Sequence, residues 1–298
     1  MSIARALRDR SAAVPICDCH AHVLSPGRFA YAPDRLYTPG EAPAERLRAL
    51  HARLGIGRTV LVHASVHGDD AASLLDAISA YPGEARGVGP YRPDIDGATR
   101  TAWRRAGIRA LRLNLANEAA RDGSSTSRRV AAATRAAAAG GWHLEINAPW
   151  SRIAELSRDL ADSPVPIVFD HFAGLGAANP FRNAALGVER LLGRGFRIKL
   201  SAPDRWARSP VSRRRIGKAI RRWSRIAPEL LVWGSDWPHT SRLPPDDRGI
   251  QPFQRVDDAA GLSWLRKWAD PGALPMILAR NPALLYDFPR TSGVRYWD

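Results

Sequence analysis

Short apolar runs alternate along the chain with longer stretches that are rich in alanine and arginine. Short apolar runs bounded by turn-forming residues are typical of buried β-strands, and the stretches between them are helix candidates. The pattern predicts eight strands, at 14–22, 58–65, 85–91, 108–115, 142–148, 165–172, 197–202 and 230–236. It predicts helices at 43–54, 69–80, 98–106, 124–139, 151–161, 180–193 and 211–226, and one more at 254–268 after the last strand.

Eight strand-then-helix units in a chain of 298 residues predict an α/β fold, the TIM-type (β/α)8 barrel. No composition break or long linker divides the chain, so we assign residues 1–298 to a single barrel domain. Within it we expect an N-terminal extension at 1–13 and a C-terminal tail at 281–298. Two long loops, 23–42 and 237–253, follow the first and last strands on the face where barrels of this type carry their active sites.

Composition narrows the class of protein. Hydrophobic residues make up 45% of the chain and charged residues 24%, as in soluble globular proteins. No apolar run reaches membrane-spanning length, and the first fifteen residues lack the apolar core of a secretory signal. The two cysteines, Cys17 and Cys19, are neighbours along one strand and cannot easily form a disulfide. We therefore expect free thiols and a cytoplasmic protein.

The net charge of +15 comes almost entirely from arginines that are spread along the chain among acidic residues. The densest basic runs, 213–215 and 221–225, fall on one predicted helix and indicate a solvated face. We therefore do not expect nucleic acid or a membrane as a partner. Positive potential around a site favours a small anionic substrate, and assembly into a homo-oligomer stays open.

Polar side chains interrupt the apolar runs where most of the predicted strands end. His20 and His22 lie two apart on the first strand and should point the same way, with Asp18 on the same face. In a barrel the strand ends converge, so the imidazoles of His20, His22 and His171 would meet the carboxylate of Asp236 at one mouth. The other polar residues at strand ends are His63, Ser65, Arg112, Asn114, Glu145, Asn147, Lys199 and Ser201.

The roles of His63, Glu145 and Lys199 stay open at this point. His63 fits a buried structural group, and Lys199 fits an ion pair with Glu145 inside the barrel. Asp18 fits either the reacting cluster or a position behind it that orients a histidine.

Four segments resemble motifs of the amidohydrolase superfamily: HAH at 20–22, DHFAG at 170–174, WGSDWPH at 233–239 and NPALLYDF at 281–288. The resemblance spans essentially the whole chain. More narrowly, HASVHGDD (63–70), GIRALRLNL (107–115) and IKLSAPDRW (198–206) are similar to the branch that contains 2-pyrone-4,6-dicarboxylate lactonase and other lactone hydrolases.

The resemblance implies a role for each matching residue. Asp236 would be the general base that deprotonates the attacking water, and His20, His22 and His171 would surround the scissile carbonyl oxygen. Arg112 would bind a substrate carboxylate, helped by Ser65, Arg205 and Tyr37. The fourth and fifth strands carry neither the bridging lysine nor the histidine of binuclear members, so a binuclear metal centre is not expected.

The implied reaction is the ring-opening hydrolysis of a small, carboxylated lactone, and the substrate itself is not predicted. The same four residues, His20, His22, His171 and Asp236, would also suit one zinc ion. The branch favours chemistry that requires no cofactor, with one divalent metal ion such as zinc as the alternative. Two other functions stay open: a metal-dependent decarboxylase of the same superfamily, and a non-catalytic barrel that binds a ligand or nucleic acid.

Overall fold

The computed structural model describes residues 14–116, 123–177, 181–203, 207, 209–241, 244 and 246–289. Eight parallel strands form one sheet in chain order. They are β1 (Cys17–Ala21), β2 (Arg58–Val62), β3 (Ala85–Pro90), β4 (Ile108–Asn114), β5 (His143–Asn147), β6 (Ile167–Phe169), β7 (Arg197–Ser201) and β8 (Leu231–Gly234). The helices are α1 (Ala44–Leu54), α2 (Ala72–Ser79), α3 (Gly97–Ala106), α4 (Gly123–Gly140), α5 (Trp150–Asp159), α6 (Phe181–Gly193), α7 (Pro210–Ile226), α8 (Asp258–Trp268) and α9 (Asn281–Leu285).

The sheet closes on itself where the chain leaves β8. The backbone N–H of Asp236 donates to the carbonyl of His20, and the N–H of His22 donates to the carbonyl of Trp237, each over 2.8 Å. Together with the parallel bridge between Ala21 and Trp237, these bonds join the last strand to the first. The predicted TIM (β/α)8 barrel is confirmed, and each of the eight predicted strands contains an observed one.

Two helices begin later than predicted, and each has an aspartate side chain that accepts a backbone N–H of its first turn. Asp70 accepts the backbone N–H of Ala72, and α2 starts there rather than at 69. Asp257 accepts the N–H of Ala260, and α8 starts at Asp258 rather than at 254. A side-chain oxygen that takes up a free N–H at the first turn sets the start of a helix, which apolar spacing alone does not show.

The basic run on α7 is a solvated face, as predicted. Its opposite face buries Ile216, Ile220 and Trp223 against the barrel, whereas the arginines at 213–215, 221, 222 and 225 are exposed. Arg222 and Arg225 pair with Glu189 and Asp270 at this surface. No helix in the described part of the chain is long and apolar enough to cross a membrane.

The lower part of the barrel interior is apolar. Cys17 and Cys19, both free thiols, lie there with Val60, Val62, Val88, Ala110 and Val232. Tyr286 and Phe288 join this cluster from below, so residues 281–289, the first part of the predicted tail, pack against the barrel floor. Above this layer the interior becomes polar and leads to the strand ends.

Candidate active site

Four buried side chains meet at the mouth of the barrel. The Oδ1 atom of Asp236 lies 3.6 Å from His20 Nε2, 3.7 Å from His22 Nε2 and 4.0 Å from His171 Nε2. Asp236 is 1% exposed and His20 is fully buried, so solvent screens their interactions weakly. The cluster predicted from the strand ends therefore forms, with the Asp236 carboxylate facing all three imidazoles.

A β-bulge in β1 sets the direction of the two histidines. Asp18 pairs with Thr59 and Ala21 with Leu61, so β1 contains one more residue than β2 over this span. His20 contacts Lys199 inside the barrel, but Asp18 does not share its face and instead reaches His51 on α1, 3.2 Å away. The prediction that Asp18 joins the histidines was wrong, because strict alternation fails at a bulge.

Asp18 acts behind the cluster instead. Its Oδ1 accepts the backbone N–H groups of His20 and Ser235, and its Oδ2 accepts the Ser235 hydroxyl over 2.6 Å. One buried carboxylate thereby ties β1 to the segment that carries Asp236. Hydrogen bonds from His51 and Ser235 outweigh burial and lower the pKa of Asp18, which keeps it an acceptor.

The segment after β8 presents Asp236 in an uncommon backbone conformation. Asp236 has a φ of 70°, in the left-handed region that aspartate tolerates better than most residues. Just before it, Gly234 lies so close to β1 that a Cβ there would stand 2.5 Å from the Cβ of His20. Strained conformations at a ligand-facing position are typical of functional sites.

The His171 side chain is delivered by a left-handed turn after β6. His171, Phe172 and Ala173 have φ values of 50°, 57° and 53°. A Cβ at Gly174, the next residue, would collide with the carbonyl oxygen of Ala148, so only glycine fits. The hydroxyl of Ser201 lies 2.9 Å from His171 Nδ1 and fixes the ring with Nε2 toward Asp236.

A second carboxylate, Asp170, lies beneath the cluster and was not identified from the sequence. Its Oδ1 is 3.2 Å from Lys199 Nζ and 3.5 Å from His20 Nδ1, and its Oδ2 accepts from Arg112 Nε over 3.2 Å. Lys199, His20 and Arg112 outweigh burial and hold the pKa of Asp170 well below its usual range. The available signal was a carboxylate directly before His171, one strand away from a buried lysine.

Arg112 is anchored by these contacts. Its Nε binds Asp170, and its Nη1 donates to the carbonyl of His63 over 3.4 Å. Asp170 is therefore the carboxylate that orients Arg112. The two contacts use two of the five N–H donors of the guanidinium, so the group is oriented while donors remain for a ligand.

The predicted ion pair between Lys199 and Glu145 is confirmed. Lys199 Nζ lies 2.6 Å from Glu145 Oε2, and the hydroxyl of Tyr286 donates to Glu145 Oε1 over 2.7 Å. Burial opposes ionisation, but the Lys199 ammonium outweighs it and lowers the pKa of Glu145 to about 2. A buried chain of polar contacts therefore runs from the barrel floor through Lys199 to His20.

Of the remaining strand-end and loop residues considered from the sequence, the structure describes the surroundings of His63, Ser65 and Tyr37. His63 Nε2 contacts the carbonyl of Asp70 over 3.0 Å, as a buried structural histidine would. Ser65 begins a short 3-10 turn after β2, and Tyr37 packs at the edge of an apolar cluster around Leu24 in the first long loop. Arg205 lies outside the described residues.

Part of the cluster has the donor atoms and the spacing of a metal site. Ligand atoms of His20, His22 and Asp236 lie within 4.8 Å of one another, and so do those of His20, Asp170 and His171. Zinc accepts imidazole nitrogen and carboxylate oxygen as ligands. Among the described residues, His20 Nε2 has no hydrogen-bond partner. The residues present therefore fit one divalent ion in type and spacing.

Comparison with known proteins identifies the family of this chain. The amidohydrolase family model matches residues 17–288. The chain is 30% identical over 276 residues to 4-sulfomuconolactone hydrolase of Rhizobium radiobacter, covering 90% of this chain and 89% of that protein. It is 30% identical over 234 residues to 2-pyrone-4,6-dicarboxylate hydrolase of Comamonas testosteroni, covering 74% and 76%.

A solved structure agrees with these sequence matches. A Pseudomonas putida protein assigned as a 2-pyrone-4,6-dicarboxylic acid hydrolase superposes with a TM-score of 0.75 at 27% identity, covering 93% of this chain and 99% of that one. The residues that the family model matches, 17–288, include all eight strands and the four side chains of the cluster. The chain belongs to the amidohydrolase family.

Proposed function

We propose that the protein hydrolyses a small, carboxylated lactone by opening its ring. The observation that carries the proposal is the convergence of three imidazole Nε2 atoms on the buried Asp236 carboxylate, at 3.6 Å, 3.7 Å and 4.0 Å. The relatives named as hydrolases of 2-pyrone-4,6-dicarboxylate and of 4-sulfomuconolactone support the choice of an anionic cyclic ester.

In this proposal Asp236 is the general base. It accepts a proton from a water molecule at the mouth, and the water oxygen forms a bond to the lactone carbonyl carbon. The imidazoles surround the carbonyl oxygen, and an imidazole N–H that faces this oxygen stabilises its negative charge, which counts most in a site with little water. The ring C–O bond then breaks, and the leaving oxygen takes up the proton that Asp236 received, so the base is regenerated and one lactone and one water give one ring-opened acid.

Arg112 is proposed to bind the substrate carboxylate. A guanidinium can hold a carboxylate through two parallel N–H bonds, and Asp170 already fixes its direction. Ser65 and Tyr37, from the segments after β2 and β1, are proposed to help in binding, and so is Arg205.

We propose that the reaction needs no metal ion. The histidines themselves supply the groups that polarise the carbonyl, and Asp236 supplies the base. If an ion such as zinc is bound, His20, His22 and Asp236 would hold it, and it would supply Lewis-acid polarisation of the carbonyl. The donor set, two imidazoles and one carboxylate, permits that alternative.

A substrate screen with product analysis tests the reaction. Dicarboxylated pyrones, sulfonated and carboxylated muconolactones and a neutral lactone of similar size would be incubated with the protein in water enriched in oxygen-18. We expect ring-opened acids that carry one heavy oxygen per turnover, with anionic lactones preferred. Carbon dioxide release instead of ring opening would indicate the decarboxylase alternative.

A chelation experiment tests the metal. The protein would be dialysed against a strong chelator, and metal content and turnover would be measured on the same sample. We expect full turnover in the metal-free protein. Loss of activity that returns on adding one equivalent of zinc would show that the ion is required.

A further inference from the structure

We propose that Lys199 and the Val62 carbonyl hold His20 and His22 in opposite tautomers, so that the pair offers one N–H donor and one lone pair to the reacting group. Lys199 is thus a positioning residue for His20. This inference rests on the proposed lactone hydrolysis for its catalytic meaning, but the tautomers themselves do not depend on it.

The contacts of Lys199 fix the first tautomer. Its Nζ lies 2.6 Å from Glu145 Oε2, 3.2 Å from Asp170 Oδ1 and 3.3 Å from His20 Nδ1. Two buried carboxylates, those of Glu145 and Asp170, lie within ion-pair distance of this nitrogen and hold it as an ammonium. An ammonium has three N–H donors and no lone pair. His20 Nδ1 must therefore accept, which leaves the ring proton of neutral His20 on Nε2.

Asp170 is the competing partner of the same nitrogen. Its Oδ1 lies 3.5 Å from His20 Nδ1 and would accept a proton placed there. That contact is longer than the one to Lys199, and Asp170 is already paired with Lys199 and Arg112. A proton on Nδ1 would also point toward the Lys199 ammonium. The lysine therefore selects the Nε2–H tautomer.

The Val62 carbonyl fixes the second tautomer in the opposite sense. His22 Nδ1 lies 2.8 Å from the carbonyl oxygen of Val62, which can only accept a hydrogen bond. The proton of neutral His22 is therefore on Nδ1, and Nε2 presents a lone pair 3.7 Å from Asp236 Oδ1. The two rings lie at 86° with their centroids 5.0 Å apart, so both Nε2 atoms face the same space from different directions.

In opposite tautomers, His20 and His22 offer different groups to the reacting atoms. The Nε2–H of His20 can donate to a carbonyl oxygen that gains negative charge. The Nε2 lone pair of His22 can accept from the attacking water, which also donates to Asp236. Two histidines in the same tautomer would either both compete for the carbonyl or leave it without this donor.

Nitrogen NMR reads the tautomers without any need for activity. Ring nitrogens would be labelled with nitrogen-15, and the signals of His20 and His22 would be assigned by replacing each in turn in protein dialysed free of metal. We expect the protonated nitrogen to be Nε2 in His20 and Nδ1 in His22. A His20 ring protonated on Nδ1 in the wild type would overturn the proposal whatever the turnover.

Two variants test the role of Lys199. Lys199→Met removes the ammonium, and the double variant Lys199→Met with Glu145→Gln also removes the buried carboxylate that would be left without its partner. In whichever of them folds, we expect the His20 proton to move to Nδ1 and toward Asp170, while His22 is unchanged. We expect kcat to fall by roughly 100-fold, the scale for loss of one oxyanion donor, with KM changed little.

Tyr286→Phe is the matched control. It removes another hydrogen bond to Glu145, at the far end of the same buried network, and leaves the contact between Lys199 and His20 in place. We expect wild-type tautomers and turnover in this variant. A His20 tautomer that stays on Nε2 without Lys199, or that changes equally in Tyr286→Phe, would contradict the role of Lys199. Correct tautomers in a protein that opens no lactone would refute the proposed function alone.

Discussion

At the scale of single residues, opposite charges beneath the site hold Asp170 and Arg112 in fixed positions although both side chains are buried. Asp170 pairs with Lys199 and with Arg112, so each of these three buried charges has a partner of opposite sign. Residue types at strand ends were sufficient to predict that His20, His22, His171 and Asp236 converge. The identity of the partner of Arg112 was not predictable, because Asp170 and Glu145 are both carboxylates near strand ends and only register separates them.

Arg112→Met should weaken the binding of carboxylated lactones far more than that of neutral ones. The substitution keeps much of the volume but removes the donors that would hold a carboxylate, whereas Lys199 still pairs with Asp170. We expect kcat/KM to fall by about 10- to 100-fold or more for the anionic substrate, the range for a lost charged hydrogen bond. Steady-state kinetics on matched lactones measures this. Equal losses on both substrates would assign Arg112 to the scaffold.

At the scale of elements, the strands were predictable and the details of their ends were not. Apolar runs identify a buried strand wherever it lies, so all eight were found. The bulge in β1 depends on how β1 pairs with β2, and the close approach of β8 to β1 depends on the closure of the barrel. Such features belong to pairs of strands, and a pattern along one strand does not contain them.

Gly234→Ala tests the close approach of β8 to β1. The new Cβ would stand 2.5 Å from the Cβ of His20 and 2.7 Å from its backbone nitrogen, so one strand must move. We expect turnover to fall by about 100-fold or more, because a shift of about 1 Å at a reacting group costs that much. We also expect a loss of about 1–3 kcal/mol in the free energy of unfolding, as for overpacked cores.

Gly261→Ala provides the matched control for that substitution. Gly261 lies within α8, and a Cβ there has no neighbour within 4 Å. Turnover should be unchanged, and stability should be equal or slightly higher, since alanine favours a helix more than glycine. Turnover and urea unfolding of both variants are the measurements. Wild-type turnover in Gly234→Ala would mean that His20 does not need its present position.

At the scale of the whole molecule, the barrel buries neutral histidines, and this makes its stability depend on pH. Burial lowers the pKa of His63 to about 3 and that of His20 to about 4. In the unfolded chain a histidine titrates near about 6.5. Below that pH the unfolded chain binds protons that the folded protein does not, so the free energy of unfolding falls as pH drops.

The expected window runs from about pH 6.5 down toward the folded pKa values, and each such histidine contributes up to about 1.4 kcal/mol per pH unit. Urea unfolding at pH 7, 6 and 5 measures the effect above the range where carboxylates begin to protonate. His63→Gln removes one titrating group. The pH dependence of the free energy of unfolding should therefore decrease by the contribution of about one proton. The prediction fails if stability is flat from pH 7 to pH 5 or if that variant keeps the wild-type slope.

The proposed mechanism depends above all on Asp236 acting as the general base. Asp236→Asn keeps the shape of the side chain and removes its ability to take up a proton. Turnover on a carboxylated lactone should fall by about 100-fold or more, the usual contribution of a general base.

The most direct test measures that turnover beside the surface control Asp94→Asn, whose side chain is 69% exposed, with the far-ultraviolet circular dichroism of both variants recorded. We expect wild-type turnover in the control and the loss in Asp236→Asn, with both variants folded. Near wild-type turnover in a folded Asp236→Asn protein would contradict it.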